Sequence, residues 1–201
     1  MDAPAFAYVS GEGFEPHLHN EGGPDGAIID GVRQTGNSEY APTEITLVVP
    51  QLSTTTLNAQ SYYWLPEDET AAATNAAPFL GIGLDELDPT DWDGAITLSL
   101  SGITGPGNFV LWQEGFNPII FLNSLDLNQS FELLPGSHTH FNWGFTAPGD
   151  YQLEFTISGL HNQDRAQAAS ASYNFHAVPE PSGALFAIFG ALTLLRRKRQ
   201  S

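Results

Sequence analysis

The alternation of apolar and polar residues near the C-terminal end constrains the fold of this chain most strongly. Tyr151, Leu153, Phe155 and Ile157 are separated by single polar residues. Successive side chains of a strand point to opposite faces, so this period of two predicts a strand with one apolar face. Segment 95–103, AITLSLSGI, alternates in the same way. The pattern indicates sheets rather than a helix bundle.

Further strands are predicted from short β-rich segments bounded by Gly, Pro or Asn. These segments are TEITLVV (43–49), NFVLWQ (108–113), PIIFLNS (118–124) and ASASYNFHAV (169–178). Segments 141–147 and 149–159 are expected to pair as a hairpin around Ala147-Pro148-Gly149. The number of short strands and their spacing are typical of an antiparallel sandwich.

Helix candidates in the body of the chain are few and short. Segment 67–77, EDETAAATNAA, is expected to be a surface loop, and LDELD at 84–88 is the other candidate. The predicted fold class is therefore all-β. We expect a single antiparallel, immunoglobulin-like β-sandwich over residues 1–177, with a short C-terminal hydrophobic helix within 178–201.

Charge is distributed very unevenly along the chain. The sequence has 23 Asp and Glu against 6 Lys and Arg, and all these acids except Glu180 lie in the body. Arg33 and Arg165 are the body's only basic residues apart from histidine. Such an acidic body would repel a phosphate backbone, which argues against nucleic-acid binding. It would instead concentrate cations at its surface.

The chain contains no cysteine, which rules out disulfides, thiolate catalysis and Cys-type zinc sites. Any zinc site must use histidine and carboxylate. Four of the six histidines form two H-x-H pairs, His17/His19 and His138/His140. On a strand each pair presents two imidazoles to one side, so two pairs on neighbouring strands could bind zinc. His176 in the last predicted strand is a further candidate ligand.

Two alternatives to a zinc site remain open at this point. Imidazole also suits copper and nickel, so ligand type does not settle the metal. An exposed strand end can also carry two histidines with no metal at all. Under the second alternative, the H-x-H pairs are structural residues beside a turn.

The acidic segment LDELDPTDWDG could in principle hold calcium through Asp85, Asp88, Asp91 and Asp93. It lacks the spacing of an EF-hand loop, so we interpret it as a solvated acidic loop. The sequence has no G-x-S-x-G, no H-E-x-x-H, no phosphate-binding loop and no dinucleotide fingerprint. No catalytic residues are assigned, and we interpret the protein as non-enzymatic.

The C-terminal segment has three parts. Pro179, Glu180 and Pro181 come first, followed by thirteen mostly apolar residues over 183–195. As a helix these thirteen would span about 20 Å, against a hydrocarbon core of roughly 30 Å. A transient span is compatible with that mismatch. A basic cluster follows, which would stay cytoplasmic and leave the acidic body outside. Its members are Arg196, Arg197, Lys198 and Arg199.

This tripartite tail resembles the PEP-CTERM sorting signal of Gram-negative bacteria, with Pro179-Glu180-Pro181 as its motif. The resemblance implies processing by an exosortase, transient anchoring in the inner membrane, and delivery to the envelope, cell surface or extracellular matrix. Such proteins carry an N-terminal signal peptide, and MDAPAFAYVSGEG lacks its basic and apolar regions. We therefore expect the N-terminus to be truncated.

Segment 136–155, GSHTHFNWGFTAPGDYQLEF, is similar to the repeat H-x-H-x-x-W-x-F-T-x-x-G-x-Y of bacterial surface-anchored proteins. Other pieces resemble the Zur-repressed PEP-CTERM family of the choice-of-anchor M type. These pieces are EPHLHNEG, SEYAPTEITLVV, YYWLP, FLGIGLDEL, LSGITGPGNFVLW and VPEPS. The resemblance implies a role in binding or acquiring zinc, with His17, His19, His138 and His140 as candidate ligands. Trp143 and Tyr151 match the repeat as well, but we interpret them as core and corner residues of the sandwich.

The leading hypothesis is an exported, envelope- or matrix-associated protein that binds a divalent metal through its H-x-H pairs. Zinc is the metal we expect. A metal-uptake system or an extracellular polymer is the expected partner, besides exosortase. The alternative is a non-catalytic structural or matrix protein that is sorted by exosortase and has no metal site.

Overall fold

The protein is described by a computed structural model over residues 1–23, 26–29, 32–50, 55–57 and 60–178. Within these ranges the chain is built almost entirely of strands, which confirms the all-β prediction. No helix in the described ranges has the length and apolar character needed to cross a membrane. The sorting motif, the hydrophobic segment and the basic cluster of the tail lie outside the described residues.

Strands are numbered in chain order. The first nine are β1 (Asp2–Val9), β2 (Gly13–Asn20), β3 (Ile28–Ile29), β4 (Val32–Arg33), β5 (Ser38–Tyr40), β6 (Thr46–Val49), β7 (Thr55–Leu57), β8 (Gln60–Leu65) and β9 (Gly81–Gly83). The rest are β10 (Ile96–Thr104), β11 (Phe109–Gln113), β12 (Ile119–Asn123), β13 (Ser130–Leu133), β14 (His138–His140), β15 (Asn142–Phe145), β16 (Gly149–His161) and β17 (Arg165–Ala177). The helices are α1 (Glu69–Thr74) and a 3₁₀ turn at Pro89–Asp91.

These strands form three five-stranded sheets and one two-stranded ribbon, β3-β4. Sheet I has the order β14-β9-β1-β2-β5, sheet II β13-β10-β16-β17-β6, and sheet III β12-β11-β15-β8-β7. Neighbouring strands run antiparallel except in two pairs, β1 with β9 and β6 with β17, which are parallel. The expectation of purely antiparallel pairing therefore needs correction. Both parallel pairs join strands far apart in sequence, which a local pattern does not reveal.

Aromatic side chains of sheets II and III meet in the buried core. Phe155 of β16 makes edge-on contacts with Phe109 of β11 and Trp143 of β15, while Phe175 of β17 stacks on Trp143. All four side chains are buried. The alternation along β16 explains this face, because Tyr151, like Leu153 and Ile157, turns into the same interior.

The predicted hairpin between segments 141–147 and 149–159 is wrong. β15 belongs to sheet III and β16 to sheet II, so the chain crosses between two sheets at Pro148. The Tyr151 hydroxyl donates a hydrogen bond of 2.7 Å to the Ala147 carbonyl and fixes this corner. Both strands need their apolar faces buried, and facing each other across the core achieves this better than lying side by side.

The surface loop predicted over 67–77 contains α1 instead. Asp68 caps this helix by accepting a 2.8 Å hydrogen bond from the Ala71 amide, and Ala72 buries its methyl group. The alanine run favours helix, and the cap gives it a defined start. The candidate helix at 84–88 does not form; a tight turn lies there instead.

Candidate metal centre

Sheet I carries both H-x-H pairs. His17 and His19 lie on β2 and His138 and His140 on β14, with β9 and β1 between them. The pairs are thus on one sheet but not on neighbouring strands, and their backbones are separated by three strand spacings, about 14 Å. In one row of the sheet, His140 pairs with Gly81, Gly81 with Asp2, and Asp2 with His19. Residues directly opposite one another share a face, so this face collects the candidate ligands.

Glycines on β9 leave room on this face for side chains of neighbouring elements. A Cβ atom added to Gly81 would come within 2.4 Å of His138 Nε2 and 2.5 Å of Asp2 Oδ1. One added to Gly83 would lie 2.9 Å from Asp85 Oδ1. Because neither position has a side chain, groups from the flanking strands and from the following turn meet above β9.

The turn after β9 carries two carboxylates to the sheet. The Leu87 amide donates to the Leu84 carbonyl at 3.0 Å, which places Asp85 and Glu86 at the two central positions of a β-turn. Leu84 and Leu87 are buried in the core and hold the turn down. Further backbone hydrogen bonds join Leu84 to Gly136 and Ser137, just before β14. Adjacent acidic side chains are thereby held at fixed positions.

Glu86 faces the first histidine pair. Its Oε1 lies 3.1 Å from His17 Nε2 and 3.4 Å from His19 Nδ1. One ligand atom from each of the three residues lies within 4.8 Å of the other two. Ligands of a tetrahedral zinc ion at about 2.0–2.1 Å stand about 3.3–3.4 Å apart. The two distances from Glu86 are therefore close to those between ligands of one ion. His17, His19 and Glu86 are here called the His17 group.

The hydrogen bonds of His17 define its tautomer. Its Nδ1 lies 3.0 Å from the Glu15 carbonyl oxygen, and since a carbonyl only accepts, Nδ1 must carry a proton. In the neutral ring, Nε2 is then a lone pair that faces the Glu86 carboxylate. Two acceptors 3.1 Å apart require a proton or a cation between them. A metal-binding histidine commonly donates its other N–H to a backbone carbonyl in this way.

His19 shows a related deficit. Its Nδ1 is buried and makes no hydrogen bond of good geometry, although Glu86 lies close to it. The side chains of His17 and His19 are 10% and 14% exposed, so water has little access to either ring. A cation at this point would satisfy both ring nitrogens and the carboxylate together.

Asp2, Asp85 and His138 form a second set, here called the Asp2 group, whose ligand atoms also lie within 4.8 Å of one another. Asp2 is only 1% exposed. His138 Nε2 lies 2.9 Å from Asp2 Oδ1, which is close enough for an ion pair. Neither carboxylate oxygen of Asp2 makes a hydrogen bond of good geometry, however. The contact with His138 therefore leaves the buried carboxylate short of partners.

The charges of the Asp2 group shift its pKa values. Burial raises the pKa of Asp2, but contact with His138 and the charges of His138, the Met1 ammonium and His140 outweigh it, so the pKa lies below the ordinary 3.8. Asp2 in turn raises the pKa of His138 above the ordinary 6.5. Burial, and then the charge of His138, lower the pKa of His140.

His140 belongs to neither group. Its ring stacks on Phe79 with centroids 3.6 Å apart, and its Nδ1 is buried without a hydrogen bond. Gln113 donates to its backbone carbonyl at 3.0 Å, which fixes the strand. His176 also belongs to neither group, and on β17 it contacts Asp150 at 2.6 Å on the exposed surface.

The remaining acids of the predicted calcium segment go elsewhere. Asp88 caps the 3₁₀ turn by accepting hydrogen bonds from the amide and hydroxyl of Thr90. Among the described residues, Asp88, Asp91 and Asp93 enter neither of the two groups. Asp85, the fourth member of that segment, belongs to the Asp2 group instead.

Sequence reasoning assigned three of the six ligand candidates to no site with histidine. Glu86 was noticed only as part of an acidic segment, and its neighbour Asp85 only as a calcium candidate. Asp2 gave no signal at all, because its place beside Gly81 depends on the parallel pairing of β1 with β9. The one local hint in the sequence is that Gly81 and Gly83 alternate along β9 and that Asp85 and Glu86 follow one residue later.

Comparisons with known proteins do not add to this geometry. A scan against protein-family models, a search of curated proteins and a search of solved structures each returned no match.

Proposed function

We propose that this protein is exported and binds a divalent metal ion through His17, His19 and Glu86. Zinc is the favoured metal. The observation that carries the proposal is the arrangement of His17. Its Nδ1 donates to a backbone carbonyl while Nε2 and a carboxylate oxygen face each other at 3.1 Å. That arrangement has the outer hydrogen bond, the free lone pair and the spacing of a bound ligand.

The ligand set favours zinc among the common divalent ions. Two imidazoles and one carboxylate form a set found in zinc proteins, in which the fourth position is open to water or another ligand. Calcium and magnesium prefer oxygen ligands, and this group offers only one carboxylate. Copper and nickel also bind imidazole, so they compete with zinc in the test below.

Export is proposed from the tail, which lies outside the described residues. Its proline-flanked motif, apolar stretch and basic cluster support sorting by exosortase with the acidic body outside the cytoplasm. Replacing Pro179-Glu180-Pro181 with alanines in an exosortase-encoding host should prevent C-terminal processing. Mass spectrometry of the protein from each cell fraction measures this, and unchanged processing would contradict the proposal.

We also propose that sheets II and III form an immunoglobulin-like sandwich. The aromatic contacts between β16 or β17 and β11 or β15 support this, as does the corner hydrogen bond of Tyr151. An experimental structure in which these sheets do not pack face to face would refute it.

A zinc titration of the chelator-treated full chain tests metal binding. The double variant His17→Ala/His19→Ala should bind one zinc ion fewer than the parent in equilibrium dialysis, with unchanged far-ultraviolet circular dichroism. Removing an outer-shell partner typically weakens metal affinity by roughly 10–100-fold, and removing two ligands should exceed that. His176→Ala is the matched control, because His176 is exposed, lies on sheet II and contacts Asp150 instead of the group.

Two results would contradict the proposal. The first is that the parent takes up no zinc at micromolar concentration. The second is that the double variant binds as much zinc as the parent. Either result would favour the alternative, a structural or matrix protein whose histidines only shape strand ends.

A further inference from the structure

We propose that Asp2, Asp85 and His138 bind a second divalent ion, separate from the ion assigned to the His17 group. This inference extends the proposed function to a second site. Zinc counts for variants of each group distinguish the absence of one site from the absence of the other.

The first support is the condition of Asp2. A carboxylate that is 1% exposed loses its hydration, and native proteins compensate such groups with hydrogen bonds, ion pairs or metals. Asp2 has one nearby histidine and no hydrogen bond of good geometry on either oxygen. A divalent ion between Asp2 and His138 would bind one or both carboxylate oxygens of Asp2 and so supply the missing partner.

The second support is the space above β9. Gly81 and Gly83 let Asp2, His138 and Asp85 meet from three different elements, namely β1, β14 and the turn after β9. Side chains at either glycine would fill that space. The absence of side chains at Gly81 and Gly83 thus lets three potential ligands approach one another, as a metal site requires.

The third support is the local excess of negative charge. Asp2 and Asp85 belong to one group, and Glu86 follows Asp85 in the same turn. Among the described residues every ion pair uses a histidine, so neither Arg33 nor Arg165 neutralises these acids. A second divalent cation would offset the charge that one ion in the His17 group leaves behind.

The two sites are joined through the β-turn. Asp85 belongs to the Asp2 group and its neighbour Glu86 to the His17 group. An ion bound at one site holds the β-turn in place. It therefore also positions the carboxylate that the turn contributes to the other site. We expect zinc to bind the two sites with positive coupling.

The Asp2 group also differs from the His17 group in chemistry. It offers two carboxylates and one imidazole, whereas the His17 group offers two imidazoles and one carboxylate. Oxygen ligands favour harder ions, so manganese should compete with zinc better at the Asp2 group than at the His17 group.

The test counts zinc ions bound to the full chain by equilibrium dialysis, with circular dichroism as a folding check. The parent should bind two ions, and Asp85→Asn and His138→Gln should each bind one. His17→Ala/His19→Ala should also bind one, and its combination with Asp85→Asn should bind none. Asp85 is exposed, so Asp85→Asn carries little risk of misfolding. Residual zinc affinity at the mutated site should fall at least about tenfold.

Other counts overturn one claim or the other. If the parent binds one ion and Asp85→Asn still binds one, the second site is absent and the proposed function stands. If His17→Ala/His19→Ala binds as much as the parent while Asp85→Asn loses an ion, the His17 group is the wrong site. If every variant loses a single shared ion, two separate sites are refuted.

Discussion

The Asp2 group and the turn between β16 and β17 both place a histidine beside an aspartate, yet they differ in how their polar atoms are satisfied. At the turn, Asp164 Oδ2 accepts hydrogen bonds from the hydroxyls of Tyr8 and Ser10, each 2.8 Å long, and from the Gly11 amide at 3.2 Å. His161 Nδ1 accepts from the Asp164 amide at 3.1 Å. In the Asp2 group the carboxylate has no comparable donors.

The difference separates a structural cluster from a binding site. Because His161 Nδ1 accepts a backbone N–H, it carries no proton, and its 3.5 Å approach to the Asp164 carboxylate is not an ion pair. The cluster around Asp164 is complete with the protein's own donors, and it ties the β1–β2 hairpin to the β16–β17 turn. A His–Asp contact alone therefore does not indicate a metal. The informative observation is a buried acid that lacks donors.

Removing His161 should give the largest loss of stability. His161 is 4% exposed, and its ring packs against Tyr8 and Trp92. His161→Ala leaves a cavity and an amide without its acceptor, so the free energy of unfolding should fall by about 3 kcal/mol. Urea unfolding measures this loss.

The zinc count of His161→Ala should equal that of the parent, measured under conditions where the variant is folded. Loss of an ion in this variant would mean that the Asp164 cluster also supports binding. The contrast between the two clusters would then fail.

Filling the space above β9 should have a smaller effect on stability but a specific effect on binding. In Gly81→Ala the new methyl group meets His138 Nε2 and Asp2 Oδ1 at less than contact distance. Such overpacking costs about 2 kcal/mol, and it should displace the Asp2 group so that one zinc ion is lost. Thermal unfolding and equilibrium dialysis measure the two effects.

Gly115→Ala is the matched control for that substitution. A Cβ atom at Gly115 meets only the Asn117 carbonyl oxygen at 3.6 Å, an ordinary contact in the turn between β11 and β12. This control should keep its stability and its zinc ions. Retention of both ions by Gly81→Ala would show that the open space above β9 is not needed for binding.

Tyr8→Phe should weaken the Asp164 cluster without affecting the metal face. The substitution removes one hydrogen bond to Asp164 and keeps the ring against Trp92. A single hydrogen bond contributes about 1 kcal/mol, so the free energy of unfolding should fall by about that amount. Urea unfolding with and without zinc tests this, and a smaller stabilisation by zinc in the variant would contradict it.

The strands of the core could be predicted from sequence, whereas their pairing could not. The alternation of Leu153, Phe155 and Ile157 predicted β16, and the segments at 95–103 and 169–178 predicted β10 and β17. The hairpin prediction failed because the alternation gives a buried face without saying which sheet covers it. The corner at Tyr151 depends on contacts between sheets.

The candidate site was predictable only in part, for the same reason. Residues two apart on a strand share a face, and His17 and His19 do both approach Glu86. The position of Asp2 follows from the parallel pairing of β1 with β9, which joins residues about eighty positions apart. The separation of the two histidine pairs by two strands depends on the same pairing.

The smallest expected effect is a change in how the free energy of unfolding depends on pH below neutrality. It measures the contribution of the Asp164 carboxylate. Hydrogen bonds from Tyr8 and Ser10 lower the pKa of Asp164 below its ordinary 3.8. A carboxyl whose folded pKa is lowered stabilises the fold above its unfolded pKa, and this contribution is lost as the pH falls through the folded value. The parent should therefore be more stable than Asp164→Asn at neutral pH, and the difference should shrink as the pH falls below about 4. Urea unfolding of the two proteins in metal-free buffer between neutral pH and pH 3 measures the difference. A gap that stays constant across this range would mean that Asp164 stabilises the turn through shape alone, without its charge.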